Sequence, residues 1–428
     1  MEQKIKKSLN YSLKDGIFAS VNQGIGDYFI TPYAIAMGSS VGLIGILASI
    51  PGLVGSLLQS YSPHLSERFG SRKAVMTTAV LVHALMWLPI IAIPYVFQLH
   101  RVPYLVLFYT ALVSIGAVSF PPWSSIMADH VPAEERGKVF GWRNRLFGII
   151  NVSSIFGAGF VLYLFKGSGY AGFTIIFAVA FLSRICSWYF LTRMYEPPLI
   201  IKDEHRFTLI DFLKRIPKAN FGRFVVFAAA TNFAVFLASP FFAVYMLRDL
   251  GFNYLKYAIV SMASTLTIIS LMNAWGRHAD HVGNRRVLRV TSIFFPVIPV
   301  LWLFSSNIVY LILIQIFSGF FWSGFNLSVS NFIYDAVTPE KRTRCIAYFS
   351  VVNGIAIFFG AAIGGYLANT LPPLFGYKLL TLFLISGILR LAGTALCSFV
   401  KEVRHVKDVS NLKLIYSVTG LRPIMGGE

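Results

Sequence analysis

Asp129-His130-Val131-Pro132-Ala133-Glu134-Glu135-Arg136-Gly137 and Asp335-Ala336-Val337-Thr338-Pro339-Glu340-Lys341-Arg342-Thr343 are one short polar loop written twice. Each follows an apolar run and precedes another, and the shared pattern D-x-V-x-x-E-x-R recurs after 206 positions, close to half of the 428-residue chain. A second pair echoes the first: Glu67-Arg68-Phe69-Gly70-Ser71-Arg72-Lys73 against Asp280-His281-Val282-Gly283-Asn284-Arg285-Arg286. The chain therefore reads as two parallel copies of one multi-helix unit.

Composition says what surrounds those copies. The sequence is 56% hydrophobic and 13% charged, about half the charge of an ordinary soluble domain, so a lipid environment is expected. Cys186, Cys345 and Cys397 lie in or at the ends of apolar runs without CxxC spacing, and neither a disulfide framework nor a metal site is read from them. Met1 to Lys14 is basic but leads into a run too long for the core of a signal peptide, so no cleaved leader is expected.

A membrane span needs about 20 apolar residues. The chain divides into twelve such runs, near 14–37, 41–62, 74–97, 104–128, 139–165, 170–194, 221–247, 255–275, 287–305, 308–334, 345–369 and 377–400. With the N-terminus inside, 30 Lys and Arg fall on cytoplasmic segments and only Arg101, Lys166, Arg248, Lys256 and Lys378 outside. That asymmetry is the positive-inside rule. It places both termini in the cytoplasm of a cell whose inner membrane holds the chain, and it makes the net charge of +19 a topology signal, with no nucleic-acid partner implied. The expected organisation is an all-α membrane protein: a six-helix unit over 1–194, a central cytoplasmic loop over 195–220, a second six-helix unit over 221–400 and a tail over 401–428. Glu196-Pro197-Pro198 stops the sixth span, since proline lacks the N–H a helix needs. Within the loop, Phe207, Ile210 and Leu213 alternate with Arg206, Lys214 and Arg215 as in a short amphipathic helix on the inner leaflet. A solvated linker is the alternative.

At this point the chain resembles the major facilitator superfamily, in its bacterial or archaeal form and without a subfamily. That family repeats G-x-L-x-D-R-x-G-R-R/K after its second and eighth spans. Gly276-Arg277-His278-Ala279-Asp280-His281-Val282-Gly283-Asn284-Arg285-Arg286 keeps both glycines, the acid and the basic pair, with His278 where leucine is usual. Pro63-His64-Leu65-Ser66-Glu67-Arg68-Phe69-Gly70-Ser71-Arg72-Lys73 has proline for the leading glycine and glutamate for the aspartate. The resemblance implies two six-helix bundles around a central cavity and transport of a small solute by alternating access.

The loops have physics of their own. Gly70 and Gly283 permit a tight turn with positive φ, and an acid near a helix N-terminus interacts favourably with its dipole. An arginine after the fourth or tenth span can bridge that acid and the neighbouring glutamate. The resemblance makes Glu67, Arg68, Gly70, Arg72, Asp129, Glu134 and Arg136 in one half a latch that holds the cytoplasmic side shut in one state. Its counterpart in the other half is Asp280, Gly283, Arg285, Asp335, Glu340 and Arg342. The alternative is that these residues only set topology and tie helices together.

Polar groups inside the spans bear on solute and coupling. Asp27 is the one acid near the middle of a predicted span, where an ionisable group costs about 2.5–3.5 kcal/mol to insert. Aligning Pro32 with Pro240 puts Val235 opposite it, so the acid is no part of the repeated scaffold. Asn22 and Gln23 precede it, and first spans line the cavity in this family. The alternative role for Asp27 is a fixed ion pair with Arg145. Arg143 and Arg145 begin the fifth span where the other half has Phe349 and Val351, a candidate for solute or counter-ion contact, unless they snorkel to lipid phosphates. Arg184 and Arg390 stand 206 apart and read as scaffold, and His83 as a bonded membrane histidine. Trp123 in the fourth span, Asn232 in the seventh, and Trp322 and Asn326 in the tenth offer aromatic faces and amides to a sugar-like or amphipathic solute.

Prolines in many spans, among them Pro32, Pro89, Pro121, Pro240 and Pro299, loosen helices as a moving structure requires. Gly148, Gly157 and Gly159, and Gly354, Gly360, Gly364 and Gly365, allow close approach of helices between the halves. Gly157-Ala158-Gly159-Phe160 stands where a proton-antiporting drug exporter would carry G-P-x-x-G-G. There is no G-x-x-x-x-G-K-[ST], no H-E-x-x-H and no soluble domain for ATP hydrolysis, so no enzymatic activity and no cofactor are expected. The expected function is secondary active transport coupled to H⁺ or Na⁺, by a monomer. A passive facilitator, a lipid or lysolipid flippase, and a non-transporting receptor are the alternatives.

Overall fold

The structure, a computed structural model, describes residues 2–131, 136–198, 208–217, 219–403, 415 and 418. Among these residues, twelve helical stretches carry the fold. Span one is Glu2–Ala36, span two Val41–Phe69, span three Arg72–Val96, span four Arg101–His130, span five Arg136–Leu164 and span six Ala171–Thr192. After the short helix Leu209–Arg215, span seven is Asn220–Asp249, span eight Tyr254–Val282 and span nine the pair Asn284–Phe294 and Val297–Leu301. Spans ten to twelve are Ile308–Ala336, Pro339–Thr370 and Lys378–Leu396.

Ten of these are long and apolar enough to cross a membrane. The other two have evident reasons to differ. Span one carries Asn22, Gln23, Asp27 and three glycines through its middle, and span nine holds three arginines before its break at Phe295-Pro296. Span one also begins a dozen residues earlier than its apolar run. This places Asp15 well inside a helix rather than at a membrane edge.

Proline accounts for the broken helices, and neighbouring side chains repair them. Each proline leaves the carbonyl four residues earlier without its helical N–H. Tyr33 of span one donates to the Ile90 carbonyl freed by Pro94, at 3.0 Å. Ser62 of span two donates to Val118, freed by Pro122, at 2.7 Å. In the second half Arg390 donates to Phe295, freed by Pro299, and Thr394 to Ser292, freed by Pro296. Side chains of neighbouring spans thus supply bonds that lipid cannot.

Spans one to six pack as one bundle and seven to twelve as another, and the bundles meet through span two against eleven and span five against eight. We call the end that holds the start of span one the tail end, and the opposite end the far end. Glycines set the seam: a Cβ on Gly45 would meet the Ala361 carbonyl at 2.6 Å, and one on Gly159 the Tyr254 carbonyl at 3.1 Å. Tyr28 shares a hydrogen bond with Thr265 at 2.6 Å, Tyr257 donates to the Tyr28 carbonyl, and Arg248 donates to the Ser39 carbonyl at 2.6 Å. These cross-half contacts run from the middle to the far end. Tyr61, Phe69 and Trp142 are exposed toward the tail end.

Candidate functional site

A cavity of about 420 Å³ sits where spans two, seven, ten and eleven converge. Ser56 of span two, Asn232 of span seven, Trp322, Asn326 and Ser330 of span ten, and Asn353 of span eleven give it its chemistry. Asn232 donates to the Asn353 carbonyl oxygen at 2.8 Å, and Asn353 in turn donates to the Phe349 backbone at 3.1 Å. This chain fixes the orientation of both amides. The Asn326 side chain is exposed and has no protein partner among the described residues, so its donor and acceptor remain for a solute. The Trp322 ring is held by stacking on Phe295, centroids 4.5 Å apart. None of the lining residues is charged.

The cavity thus gathers Asn232, Trp322 and Asn326 from the sequence candidates, and adds Asn353, whose amide in an apolar run was the available signal. The first-half candidates lie elsewhere. Gln23 and Asp27 are exposed on span one, and Gln23 bonds the Asp27 carboxyl one turn on. Tyr109 of span four is within electrostatic range of that carboxyl. Asp27 has no ion pair among the described residues, and Arg145 is exposed on span five, so the fixed pair between them is not formed. Asn22 is buried and donates to the Ala180 carbonyl at 3.1 Å, tying span one to span six.

Arg143 is buried as well. It donates to the Ser12 hydroxyl at 3.0 Å and the Ser12 carbonyl at 3.2 Å, and lies over the rings of Trp123 and Phe147. Trp123 packs in the tail-end core of the first half. Neither residue reaches the cavity. Arg143 shares its surroundings with an acid that sequence reasoning passed over: Asp15 of span one, buried, accepts from Ser187 of span six at 2.6 Å, and Arg184 donates to the same hydroxyl at 3.1 Å.

At the tail end, Gly70 and Gly283 both turn at positive φ, 64° and 84°. Arg72 is the hub of the first half. It donates to Asp129 at 2.8 Å, to Ser125 at 2.8 Å and to the Pro197 carbonyl at 2.9 Å, and lies 3.8 Å from Glu196. Glu196 also accepts the backbone N–H groups of Arg72 and Lys73, a carboxylate placed on a helix N-terminus. In the second half Asp335 accepts from Asn284 at 2.7 Å, and Glu402 accepts the backbone N–H of Arg285 at 2.8 Å. Glu67, Arg68 and Asp280 are exposed. Glu134 lies outside the described residues, as do the side chains of Arg136, Glu340 and Arg342. The bridging arginine described here is therefore Arg72, and each of these bonds stays within its own half. The roles of Glu196 and Glu402 were missed, although their separation of 206 repeats that of Asp129 and Asp335.

Comparison with known proteins agrees with this architecture. The model of the Major Facilitator Superfamily matches residues 16–272 and again 224–421, and the chain belongs to that family. The efflux pump azaK of Aspergillus niger is 27% identical over 161 residues, a stretch that spans 37% of this chain and only about a third (34%) of that relative. Among solved structures, a variant of the nucleoside transporter NupG superposes with a TM-score of 0.73 at 15% identity, covering 91% of this chain and all (100%) of that one. The xylose transporter XylE from E. coli, partially occluded and inward open, superposes with a TM-score of 0.70 at 11% identity, covering 95% of this chain and 100% of its own. At such identities these two speak to the fold alone. The chain is thus a multi-pass membrane protein of a transporter family and not an enzyme.

Proposed function

We propose that this member of the major facilitator superfamily moves an uncharged, hydrogen-bonding solute with a flat or apolar face, by alternating access coupled to an ion gradient. The observation that carries the solute class is the lining of the 420 Å³ cavity, which offers amides, hydroxyls and an indole but no charge. Its size falls in the ordinary range of small-molecule sites. An ionised solute buried there would find no counter-charge, a penalty that neutral polar solutes avoid. Asn326 and Asn232 supply directional bonds, and Trp322 supplies the stacking face.

Coupling is assigned to Asp27, an exposed carboxyl in the middle of a span without an ion-pair partner among the described residues. The excess of basic residues at the tail end supports an orientation with that end in the cytoplasm of the inner membrane, and the run of cross-half hydrogen bonds from the middle to the far end supports reading this state as open at the tail end. The charged loop residues of the two halves, Asp280 and Arg342 among them, are assigned to latching the inner side when it closes. A panel of neutral sugars, nucleosides and planar amides, set against organic anions, cations and zwitterions, tests the solute class by thermal shift of the purified protein. Stabilisation by neutral members, lost in Trp322→Ala and Asn326→Leu, is the expected result. Stabilisation by charged members alone overturns the reading.

A further inference from the structure

We propose that the cavity selects solutes by their hydrogen-bond donors. A neutral polyol, or an amide that keeps an N–H, is accepted, and its ether or fully N-alkylated counterpart is refused. On the reading of this cavity as the solute site, the solute class thereby narrows from neutral polar molecules to donor-rich ones.

Three serines line the cavity: Ser56 of span two, Ser330 of span ten and Ser350 of span eleven. Each hydroxyl bonds a backbone carbonyl of its own helix, Ser56 that of Leu53 at 2.8 Å, Ser330 that of Asn326 at 3.2 Å and Ser350 that of Ile346 at 2.9 Å. A carbonyl has no proton to give, so the hydroxyl is the donor in every case. The single O–H of each serine is therefore committed, and oxygen lone pairs are what it offers a solute. Turning a hydroxyl round to donate to the solute exchanges one bond for another. Accepting from the solute adds a bond.

The amides lean the same way. Asn353 donates to the Phe349 carbonyl, which fixes its Nδ2 on that side and turns its Oδ1 to Asn232. Asn232 donates to that oxygen, and its own Oδ1 meets no donor among the described residues. Free N–H groups are fewer than lone pairs: those of Asn326, the indole N–H of Trp322, and one hydrogen left on each of the paired amides. A solute that brought only acceptors would leave most of these lone pairs stripped of water and unpaired. Ser56 extends the pattern across the seam. It is the one polar side chain that the first half contributes to the lining among the described residues. Gly354 of span eleven keeps its oxygen open, since a Cβ there would stand 2.6 Å from the Ser56 Oγ. A solute that donates to Ser56 and to Asn232 is held by both halves at once.

Matched pairs of neutral probes decide it, read by titrated thermal shift of the purified full chain. Phenyl β-glucoside, uracil and benzamide carry donors. The fully O-methylated glucoside, N,N′-dimethyluracil and N,N-dimethylbenzamide keep the acceptors and the flat face but have no donor. Phenyl β-glucoside with fluorine in place of its hydroxyls, which matches a hydroxyl in size and cannot donate, controls for the bulk of the methyl groups. In at least one pair the parent should bind about tenfold more tightly than its donor-free partner, the scale of one or two hydrogen bonds. Ser350→Ala and Ser56→Ala should each weaken the parent severalfold and leave the donor-free partner unchanged, whereas Trp322→Ala should weaken both alike. Equal binding of parents and donor-free partners overturns the donor requirement and leaves the neutral solute site standing, as do serine variants that weaken both members alike. Stabilisation by charged probes alone overturns the two together, and silence of every pair overturns the donor requirement.

Discussion

Glu196 and Glu402, 206 residues apart, do the same thing in the two halves: each carboxylate accepts the backbone N–H of an arginine in the first turn of a helix, Arg72 at 2.6 Å and Arg285 at 2.8 Å. Those N–H groups have no intrahelical partner, and the negative charge suits the helix N-terminus. The end of each half's last span is thereby tied to the start of its third. The duplication extends to the atoms that hold each bundle together at its tail end.

Glu196→Gln and Glu402→Gln should each lower stability by about 1–2 kcal/mol, the scale of a charge-assisted bond at a helix terminus. Thermal unfolding in detergent would read this as a lower midpoint. Unchanged midpoints in both variants would contradict the anchoring role.

Arg390→Leu should cost about 1–3 kcal/mol, because it leaves the Phe295 carbonyl buried and unpaired. Adding Pro299→Ala restores the helical N–H to that carbonyl, so the double variant should recover much of the loss. A double variant less stable than Arg390→Leu alone would contradict the assignment.

Gly45→Val should shift the population away from the tail-open state, since the far-end seam leaves 2.6 Å between that Cβ and the Ala361 carbonyl of the other half. Gly360→Val is the control. Its Cβ would meet the Phe233 carbonyl at 2.4 Å within one half, so it should destabilise that bundle in either state by about 1–3 kcal/mol. Distances between spin labels at the tail end separate the two outcomes. An unchanged distance distribution in Gly45→Val would remove the seam from the account.

The twelve spans and their two-fold repetition could be read from D-x-V-x-x-E-x-R and from apolar run lengths, because membrane insertion imposes the run lengths and a duplicated unit repeats its loops. What distinguishes one buried polar residue from another could not. Asn22, Arg143 and Asp27 all read as polar groups in apolar runs, yet the first two are tied to backbone carbonyls and the third is exposed. That outcome depends on helix rotation, which a run of mixed apolar residues does not encode. Asp15 escaped notice because span one starts twelve residues before its apolar stretch. Glu402 escaped although its spacing from Glu196 was in plain view.

Asp280→Asn should raise the tail-open fraction with little change in solute affinity per state, because the latch stabilises only the conformation in which the tail ends meet. The same labelled positions on the two halves would report it. An unchanged distribution would leave the acid as a determinant of topology and helix ties.

Asp27→Asn tests the central claim most directly, in proteoliposomes loaded against an imposed pH or sodium gradient and supplied with the neutral solute that the binding panel identifies. Wild type should accumulate solute beyond equilibrium. The variant should fold, exchange solute across the membrane and stop at equal concentrations on the two sides. Gradient-driven accumulation by Asp27→Asn at the wild-type level would contradict the account and make Asp27 a structural residue.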